Sequence, residues 1–310
     1  MGKLIDGRWH DVDYAHKDGA FVRGNSKFRD AVSSDGSTPY PAAAGRYHLY
    51  VSLACPWAHR TLVMRALKGL EDAVSVSGVG PLMAERGWVF SDGYVDDLFG
   101  AEYLHEIYTR AKPDCTGRVT VPILWDKETG AIVNNESSEI IRMLNSAFDA
   151  FTDVKTDYYP AQLRETIDTV NARVYDTVNN GVYKAGFART QHAYDAAIVP
   201  LFETLSWLEE MLESQPYLAG DTLTEADWRL WTTLIRFDPV YHVHFKCSLR
   251  RLVDYPKLWA LTQRLYAMPG IAETVDIDYI KRHYFQSHTT VNPHAIVPMG
   301  PAIDVTTASA

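Results

Sequence analysis

The chain has few cysteines, no long apolar run and no excess of basic residues. Its 310 residues include only three cysteines, Cys55, Cys115 and Cys247, which are too few and too irregularly spaced for a disulfide framework. Each of them is therefore considered as a thiol. No stretch approaches the roughly 18 apolar residues of a membrane-spanning helix, and the first residues lack the apolar core of a secretory signal. We therefore expect a cytoplasmic protein without a membrane partner.

Charge and composition exclude further classes of protein. Thirty basic residues against 39 acidic ones give a formal net charge of -9, which repels nucleic acid, and no local basic run compensates for it. Hydrophobic residues make up 46% of the chain, which has eight Trp and 18 Tyr. This composition is typical of globular proteins with large packed interiors or aromatic-lined pockets. The length suggests about two domains.

Sequence patterns divide the chain into an arm and two domains. Residues 1–44 are rich in Gly, Asp, Ser and Pro, which predicts an irregular arm lying on a folded body. Residues 45–150 combine strand and helix patterns and predict an α/β domain. Residues 151–310 show helical patterns without comparable strand patterns and predict an all-helical domain with a fraying tail.

The α/β domain begins with a strand that leads directly into a helix. Tyr47, Leu49 and Val51 alternate with a period of two, which is typical of a strand. Apolar residues from Ala58 onward are spaced for one helical face, so a tight loop containing Cys55 separates the two elements. The remaining predicted elements follow in chain order. They are a short strand at residues 74–76, a loop-rich insertion at 81–117, an antiparallel hairpin at 120–133 and a helix from 134 onward.

Helical stripes dominate the second domain. Two sets of apolar residues share one helical face each: Leu163, Ile167, Val170, Val174 and Val178, and then Tyr194, Ile198, Leu201, Leu205, Leu208 and Leu212. Thr224 stands at an N-cap position with Asp227 three residues later, which is the pattern of a capping box. This pattern predicts that a helix begins at Glu225.

Cys55 occupies the position of a reactive thiol. It lies between a strand and the first turn of a helix, and Pro56 suits the first helical position because its missing N–H would be unbonded there. Free backbone N–H groups and the positive end of the helix dipole favour the thiolate form. His59 and Arg60, one turn later, add positive potential if they face the thiol. The alternative interpretation is a buried cysteine that packs as a small apolar residue.

The motif has no second cysteine, because Ala58 stands at the fourth position. Dithiol redox chemistry within the motif is therefore excluded. A lone thiolate of low pKa can take a thiol from an adduct and then needs a small external thiol to release it. Glutathione is the abundant candidate for that thiol.

The rest of the α/β domain offers the parts of a glutathione site. Val121 precedes Pro122 at the start of a strand, where a cis peptide bond commonly turns the Val backbone toward a ligand amide. Ser137, at a helix N-terminus, can hold a carboxylate, and Glu136 can meet an ammonium group. Ordinary helix capping is the alternative interpretation of Ser137.

Four long motifs carry a resemblance to a known family: residues 50–60, 117–122, 134–141 and 179–188. In these motifs the sequence resembles the glutathionyl-hydroquinone reductases, the omega-like Xi class of the glutathione transferases. The likeness extends from about residue 6 to about residue 300. It implies a thioredoxin-like domain followed by a helical bundle, a homodimer, and removal of glutathione from glutathionylated hydroquinones with glutathione as co-substrate.

The resemblance also implies roles for individual residues. The catalytic cysteine of the family falls on Cys55. The implied glutathione contacts are Trp88, Arg118, Val121, Glu136 and Ser137. The implied substrate-pocket residues are Tyr183, Tyr241 and Tyr284, whose phenols can stack on a hydroquinone ring and hydrogen-bond its oxygens.

These roles combine into a two-step hypothesis. The Cys55 thiolate attacks the sulfur of a glutathionylated hydroquinone held as its keto tautomer, and the ring carbon leaves as a carbanion equivalent that a tyrosine protonates. A second glutathione then attacks the mixed disulfide, which yields oxidised glutathione and restores the thiolate.

Other functions are weighed against this one. Glutathione conjugation is disfavoured because a cysteine forms a disulfide with glutathione instead of activating it by a hydrogen bond. An omega-like thioltransferase or dehydroascorbate reductase uses the same thiol on another substrate. A binding protein without turnover predicts a Cys55 thiol that titrates near the ordinary pKa of about 8.5.

A metal site is a further alternative. His242, His244 and Cys247 lie close together in the sequence and have side chains that bind zinc. The segment follows a helix and offers no obvious fourth ligand, so ordinary packing is favoured and no metal is expected. Cys115 and Cys247 are interpreted as having no part in the chemistry.

Overall fold

A computed structural model describes residues 2–301 and 304–306. Contacts within the chain form two compact units. The first contains residues 2–14 and 23–156, and the second contains residues 15–22 and the described residues from 157 onward. The arm therefore contributes to both units, and its residues 15–22 belong with the helical part of the chain.

Short strands build much of the arm, for which the sequence predicts irregular structure. Their bounds are β1 Gly2–Ile5, β2 Arg8–Asp11, β3 Ala15–Lys17, β4 Ala20–Val22, β5 Val32–Ser33 and β6 Tyr40–Pro41. They pair as β1 with β2, β3 with β4 and β5 with β6. Leu4 also exchanges backbone hydrogen bonds with Gly117, in a remote loop. Such pairing depends on distant partners, and local composition does not reveal it.

The first unit is built on a four-stranded mixed sheet. The further strands of the chain are β7 Tyr47–Val51, β8 Val74–Gly78, β9 Met83–Ala84, β10 Gly87–Trp88, β11 Ile123–Asp126 and β12 Ala131–Asn134. The sheet order is β12-β11-β7-β8, with β8 parallel to β7 and β11 antiparallel to both neighbours. Every residue of β7 is buried, since both faces of this central strand are covered.

Three helices accompany this sheet: α1 Pro56–Leu67, α2 Leu104–Ala111 and α3 Ser137–Ser146. Helices α1 and α3 pack against each other, and their apolar faces, which include Val63 and Ile140, are fully buried. The order of strands and helices matches the α/β domain that the sequence patterns predict and the thioredoxin-like arrangement that the resemblance implies. Helix α2 lies within the insertion that was interpreted as loop-rich.

In the residues of the second unit that the structure describes, helices make up the regular structure apart from the β3–β4 hairpin. Its helices are α4 Arg164–Val174, α5 Gly181–Gly186, α6 Gln191–Ser214, α7 Glu225–Leu234, α8 His242–His244, α9 Pro256–Tyr266 and α10 Ile277–Ser287. Two π-helical segments, Tyr175–Asn179 and Phe237–Tyr241, lead into α5 and α8. The core includes the edge-to-face pair of Trp228 and Trp231, both of which are buried.

Helix α7 begins at Glu225, as its capping box predicts. The Thr224 hydroxyl accepts a hydrogen bond from the Ala226 N–H at 3.3 Å. The Asp227 carboxylate accepts from the Thr224 N–H at 2.9 Å and from the Leu218 N–H at 2.8 Å. Burial raises the pKa of Asp227 to about 6, against the opposing effect of these hydrogen bonds. The box therefore ties a buried helix start to the preceding loop.

None of the helices in the described part of the chain combines the length and the apolar character that crossing a membrane requires.

Candidate functional site

Cys55 is the N-cap residue of α1, directly after the loop that follows β7. Its side chain is partly exposed, and Pro56 occupies the first helical position. The first turn of α1 contains no acidic residue, so the positive end of the helix dipole is not neutralised from within the helix. This geometry is the one that favours a thiolate, because the N–H groups at the start of a helix and the helix dipole stabilise negative charge there.

Val121 lies beside this thiol. The Cys55 Sγ atom is 3.6 Å from the Val121 carbonyl oxygen and donates to it as a neutral thiol. The Val121–Pro122 peptide bond is cis, in agreement with the expectation from the sequence. Val121 itself is 5% exposed. The residue that the sequence predicts to pair with a ligand amide therefore lies next to the Cys55 sulfur, two residues before β11.

Glu136 and Ser137 stand at the N-terminus of α3. Glu136 is the N-cap residue, and its carboxylate accepts hydrogen bonds from the Ser138 N–H at 3.3 Å and from the Ser26 hydroxyl at 3.0 Å. The Ser137 hydroxyl accepts from Arg60 Nη1 at 3.4 Å. Glu136 therefore performs ordinary capping and also presents a negative charge, while Ser137 lies next to a guanidinium. This pairing of charges suits the two ends of a zwitterionic ligand.

Arg60 is a member of this site that the sequence indicated only weakly. It lies one turn into α1 and is 2% exposed. Its guanidinium lies 4.5 Å from the ring centroid of Trp57, and that of Arg23 lies 5.0 Å from the same centroid. Arg60 thus links helix α1 to Ser137 with a buried positive charge.

Arg118 contacts the arm in this structure. Its Nη1 atom donates to the carbonyl oxygens of Val12 at 2.8 Å and Gly2 at 3.1 Å, and Nη2 donates to the carbonyl of Asp13. The guanidinium also lies 5.0 Å from the ring centroid of Tyr14. The predicted glutathione-binding cation therefore holds three backbone carbonyls of the arm.

Tyr14 is a residue near the thiol that sequence reasoning missed. Burial of its phenol raises the pKa of Tyr14, Arg23 and Arg118 oppose that shift, and the charge of Cys55 adds to it. The arm therefore places a phenol within electrostatic range of the Cys55 sulfur. Its position depends on the Arg118 contacts, and no local motif signals it.

Trp88 ends β10, which pairs with β9 in a two-residue ribbon. The side chain is 8% exposed, so it is nearly covered where the sequence predicts a loop residue. The neighbouring Gly87 has φ +85, and a β-carbon added there would lie 2.6 Å from the Trp9 ring. Trp88 is thus fixed on a tight ribbon whose glycine cannot readily be replaced.

The three predicted tyrosines meet within the second unit. The hydroxyls of Tyr183 and Tyr284 are 2.6 Å apart, and those of Tyr241 and Tyr284 are 3.1 Å apart. Tyr183 is partly exposed, whereas Tyr241 and Tyr284 are buried. The phenols therefore form a chain in which Tyr284 is the middle member and Tyr183 is the end that solvent reaches.

Burial raises the pKa of Tyr284 well above its ordinary value of 10.0, and the neighbouring phenols Tyr183 and Tyr241 add to the shift. Tyr284 is thus protonated at neutral pH, and its hydroxyl shares a hydrogen bond with each of the two neighbouring hydroxyls. Phe245 stacks on Tyr241 with 5.6 Å between ring centroids. The cluster is a hydrogen-bonded set of proton donors on an aromatic wall.

The other two thiols lie in different surroundings. Cys115 is 4% and Cys247 0% exposed, and burial raises the pKa of both. Among the described residues, no three His, Cys, Asp or Glu side chains come together in an arrangement that could hold a metal ion. His244 forms its close contact with His288, at 3.1 Å between ring nitrogens.

Family models match both halves of the chain. Residues 54–147 match the model described as glutathione S-transferase, N-terminal domain, and residues 191–264 match the model described as glutathione S-transferase, C-terminal domain. The first match contains Cys55 and its surroundings, and the second contains Tyr241.

Relatives match over nearly the full length. Glutathionyl-hydroquinone reductase YqjG of Escherichia coli is 55% identical over 98% of this chain and 97% of its own. The glutathione-bound structure of YqjG, a glutathione transferase homologue, superposes with a TM-score of 0.92 at 52% identity, covering 99% of this chain and 97% of that one. A Xi class glutathione transferase from Natrialba magadii superposes with a TM-score of 0.93 at 48% identity, and the match covers 100% of this chain and 96% of that one.

Proposed function

Because the chain belongs to the glutathionyl-hydroquinone reductases, the Xi class of the glutathione transferases, we propose that it removes glutathione from glutathionylated hydroquinones through a Cys55–glutathione disulfide. Glutathione is the co-substrate, and the products are the hydroquinone and oxidised glutathione. The observation that carries the proposal is the partly exposed Cys55 thiol at the N-terminus of α1, 3.6 Å from the Val121 carbonyl.

In the first step the Cys55 thiolate attacks the sulfur that joins glutathione to the hydroquinone ring. A sulfur–sulfur bond forms and the carbon–sulfur bond breaks, with its electron pair remaining on the ring carbon. The keto tautomer of the substrate accepts this pair as an enolate, and a proton completes the free hydroquinone. The sulfur centres are oxidised to a disulfide while the ring carbon is reduced.

The second step restores the enzyme. A glutathione thiolate attacks the glutathione sulfur of the mixed disulfide, and the Cys55 thiolate leaves. The sum of both steps consumes one glutathionylated hydroquinone and one glutathione, and it yields one hydroquinone and one oxidised glutathione. The N-terminus of α1 stabilises Cys55 as the leaving thiolate in this step, just as it does as the nucleophile in the first.

We assign glutathione recognition to Val121, Glu136, Ser137, Trp88 and Arg118. The Val121 backbone suits the peptide amide, and the Glu136 carboxylate suits the ammonium group of the γ-glutamyl end. Ser137, supported by Arg60, suits a carboxylate. The contacts of Arg118 with the arm give it an indirect part, because it holds Tyr14 near the thiol.

We assign the proton to the chain of phenols. Tyr183 is the partly exposed member, so it is the phenol that we expect to contact the hydroquinone. Tyr284 and Tyr241 stand behind it and can replace its proton through the hydrogen bonds between hydroxyls. A homodimer and a cytoplasmic location remain predictions from the resemblance and from the sequence.

A Cys55→Ala variant tests the proposal. We expect its turnover of glutathionylated benzohydroquinone, menahydroquinone and chlorinated hydroquinones to fall by at least about 1000-fold, because the covalent step has no other nucleophile. Glutathione binding, measured by calorimetry, should survive. A Cys115→Ala variant is the matched control and should retain its activity. Substantial turnover by Cys55→Ala would show that no disulfide at this residue is required.

A further inference from the structure

Two buried histidines lie behind the tyrosine cluster. His244 ends α8, three residues after Tyr241, and His288 follows α10, four residues after Tyr284. Each is 4% exposed, and 3.1 Å separates Nε2 of His244 from Nδ1 of His288. The pair therefore connects the two chain segments that carry the two buried phenols.

This contact is a hydrogen bond between neutral rings. Burial lowers the pKa of His244 to about 3 and places that of His288 well below its ordinary value. At neutral pH one of the two facing nitrogens carries the proton and the other offers its lone pair. Whichever ring carries the proton, the two facing nitrogens must point at each other. The hydrogen bond therefore orients both rings.

His288 is also the third ring of an aromatic column. Tyr241 stacks on Phe245 at 5.6 Å with 8° between planes, and Phe245 stacks on His288 at 5.8 Å with 10° between planes. The Tyr284 ring stands edge-on to all three, at centroid distances between 5.4 and 5.7 Å. The His288 ring is thus part of the aromatic surface against which Tyr284 packs, and its orientation affects that packing.

We propose that the hydrogen-bonded pair of His244 and His288 acts as a positioning device that holds the Tyr241 and Tyr284 hydroxyls in register with that of Tyr183. This inference rests on the proposed function for its catalytic consequence, although the positioning itself is independent of it. Neither histidine needs to touch the substrate. Removal of one partner leaves a buried ring nitrogen unsatisfied, so the segment that carries it relaxes and the distances between hydroxyls change.

Two replacements of His288 distinguish the contribution of its hydrogen bond to His244 from that of its ring packing. His288→Phe keeps a ring that can stack on Phe245 but has no nitrogen for His244. His288→Asn loses the ring but places an amide where Nδ1 stood, so it can restore the hydrogen bond. Denaturant unfolding of both variants checks that each is folded under the conditions used.

The direct readout is the environment of the phenols. In protein labelled with 13C-tyrosine, with signals assigned from Tyr→Phe variants, we expect the resonances of Tyr183, Tyr241 and Tyr284 to shift or broaden in His288→Phe. In His288→Asn the Tyr284 resonance also shifts because the adjacent His288 ring is lost, whereas the resonances of Tyr183 and Tyr241 should stay close to wild type. Unchanged resonances in folded His288→Phe would overturn the inference, whatever the activity.

The catalytic readout compares two substrates. We expect kcat for a glutathionylated hydroquinone to fall roughly tenfold in His288→Phe, the effect of about 1.4 kcal/mol, with a smaller change in KM. Reduction of the mixed disulfide of glutathione and 2-mercaptoethanol by glutathione uses the Cys55 thiolate and releases a thiolate that needs no proton from a phenol, so its kcat should stay within about twofold of wild type. Equal losses on both substrates in a folded variant would contradict the positioning role. A wild-type protein inactive on hydroquinone conjugates would instead contradict the proposed function, and the resonances would still decide the inference.

Discussion

The three cysteines are expected to differ in reactivity because their surroundings differ. Cys55 is partly exposed at the start of α1, where the helix dipole favours its thiolate. Cys115 and Cys247 are buried, and burial raises the pKa of each. The sequence predicted the position of Cys55 from the adjoining proline, but the burial of the other two depends on tertiary packing.

Alkylation measures this difference. With iodoacetamide at pH 7, we expect Cys55 to react at least about 100-fold faster than the other two thiols, because only the thiolate attacks and only Cys55 is accessible. Peptide mapping of the carbamidomethylated residues gives the three rates. In concentrated urea the three rates should converge. Comparable rates in the folded protein would contradict the assignment of Cys55 as the reactive thiol.

At the candidate site, residue patterns predict which side chains are present but do not determine the hydrogen-bond partners of those side chains. From their residue types, Glu136 was predicted to bind a cationic group and Ser137 an anionic group at a helix start. Both residues stand at the start of α3. Glutathione binding by Arg118 stays a prediction; in the structure its guanidinium donates to arm carbonyls. The choice among acceptors for a long cation depends on which backbone folds over it, and that is a long-range property.

Helix starts were the elements that the sequence predicted best. Pro56 and the Thr224 box are local signals, and α1 and α7 begin where those signals indicate. Helix α2 was missed because it has only eight residues and its N-cap residue is Tyr103, whose backbone N–H donates to Glu106. The arm strands were missed because their partners, such as Gly117 for Leu4, lie far along the chain.

The box at α7 should contribute more to stability than an exposed cap. We expect Thr224→Ala to lower the free energy of unfolding by about 2 kcal/mol, the upper end for N-caps, because the cap is buried and shares Asp227 with the Leu218 loop. Thr190→Ala is the matched control, since Thr190 caps α6 from an exposed position. It should lower the same quantity by about 0.5 to 1 kcal/mol. Urea unfolding measures both, and equal losses would contradict the role of burial.

At the scale of the whole molecule, the free energy of unfolding should fall in mild acid because a histidine, His48, is buried as a neutral ring. His48, in β7, is 1% exposed and its Nδ1 lies 2.8 Å from the Ser75 hydroxyl. Burial, with a smaller contribution from Lys127, lowers the pKa of His48 to about 4 from an ordinary 6.5. The unfolded chain therefore binds a proton below pH 6.5 that the folded chain accepts only near pH 4.

This linkage has a defined sign and window. The contribution of His48 is fully present above pH 6.5 and falls by about 3 kcal/mol as the pH drops to 4. Asp227 acts in the opposite direction, because its pKa is raised to about 6, so the comparison needs a variant. We expect His48→Asn, whose amide can still meet Ser75, to show a shallower decline of unfolding free energy between pH 6.5 and 4. Urea titrations at several pH values measure it, and parallel pH profiles would contradict the assignment to His48.

At the scale of the whole molecule, the order of an α/β unit and a helical unit was predictable, because strand and helix periods differ along the chain. The exchange of residues 15–22 into the helical unit was not, since the β3–β4 hairpin is held there by contacts such as that of His16 with the Phe187 carbonyl at 3.1 Å.

Trapping of the covalent intermediate tests the central claim most directly. The protein is mixed with one equivalent of a glutathionylated hydroquinone without added glutathione, and its intact mass and peptides are measured. We predict one glutathionyl group per chain on Cys55, release of an equal amount of hydroquinone, and removal of the group when glutathione is added. Release of hydroquinone without an adduct on Cys55, or with the adduct on Cys115 or Cys247, would contradict the account.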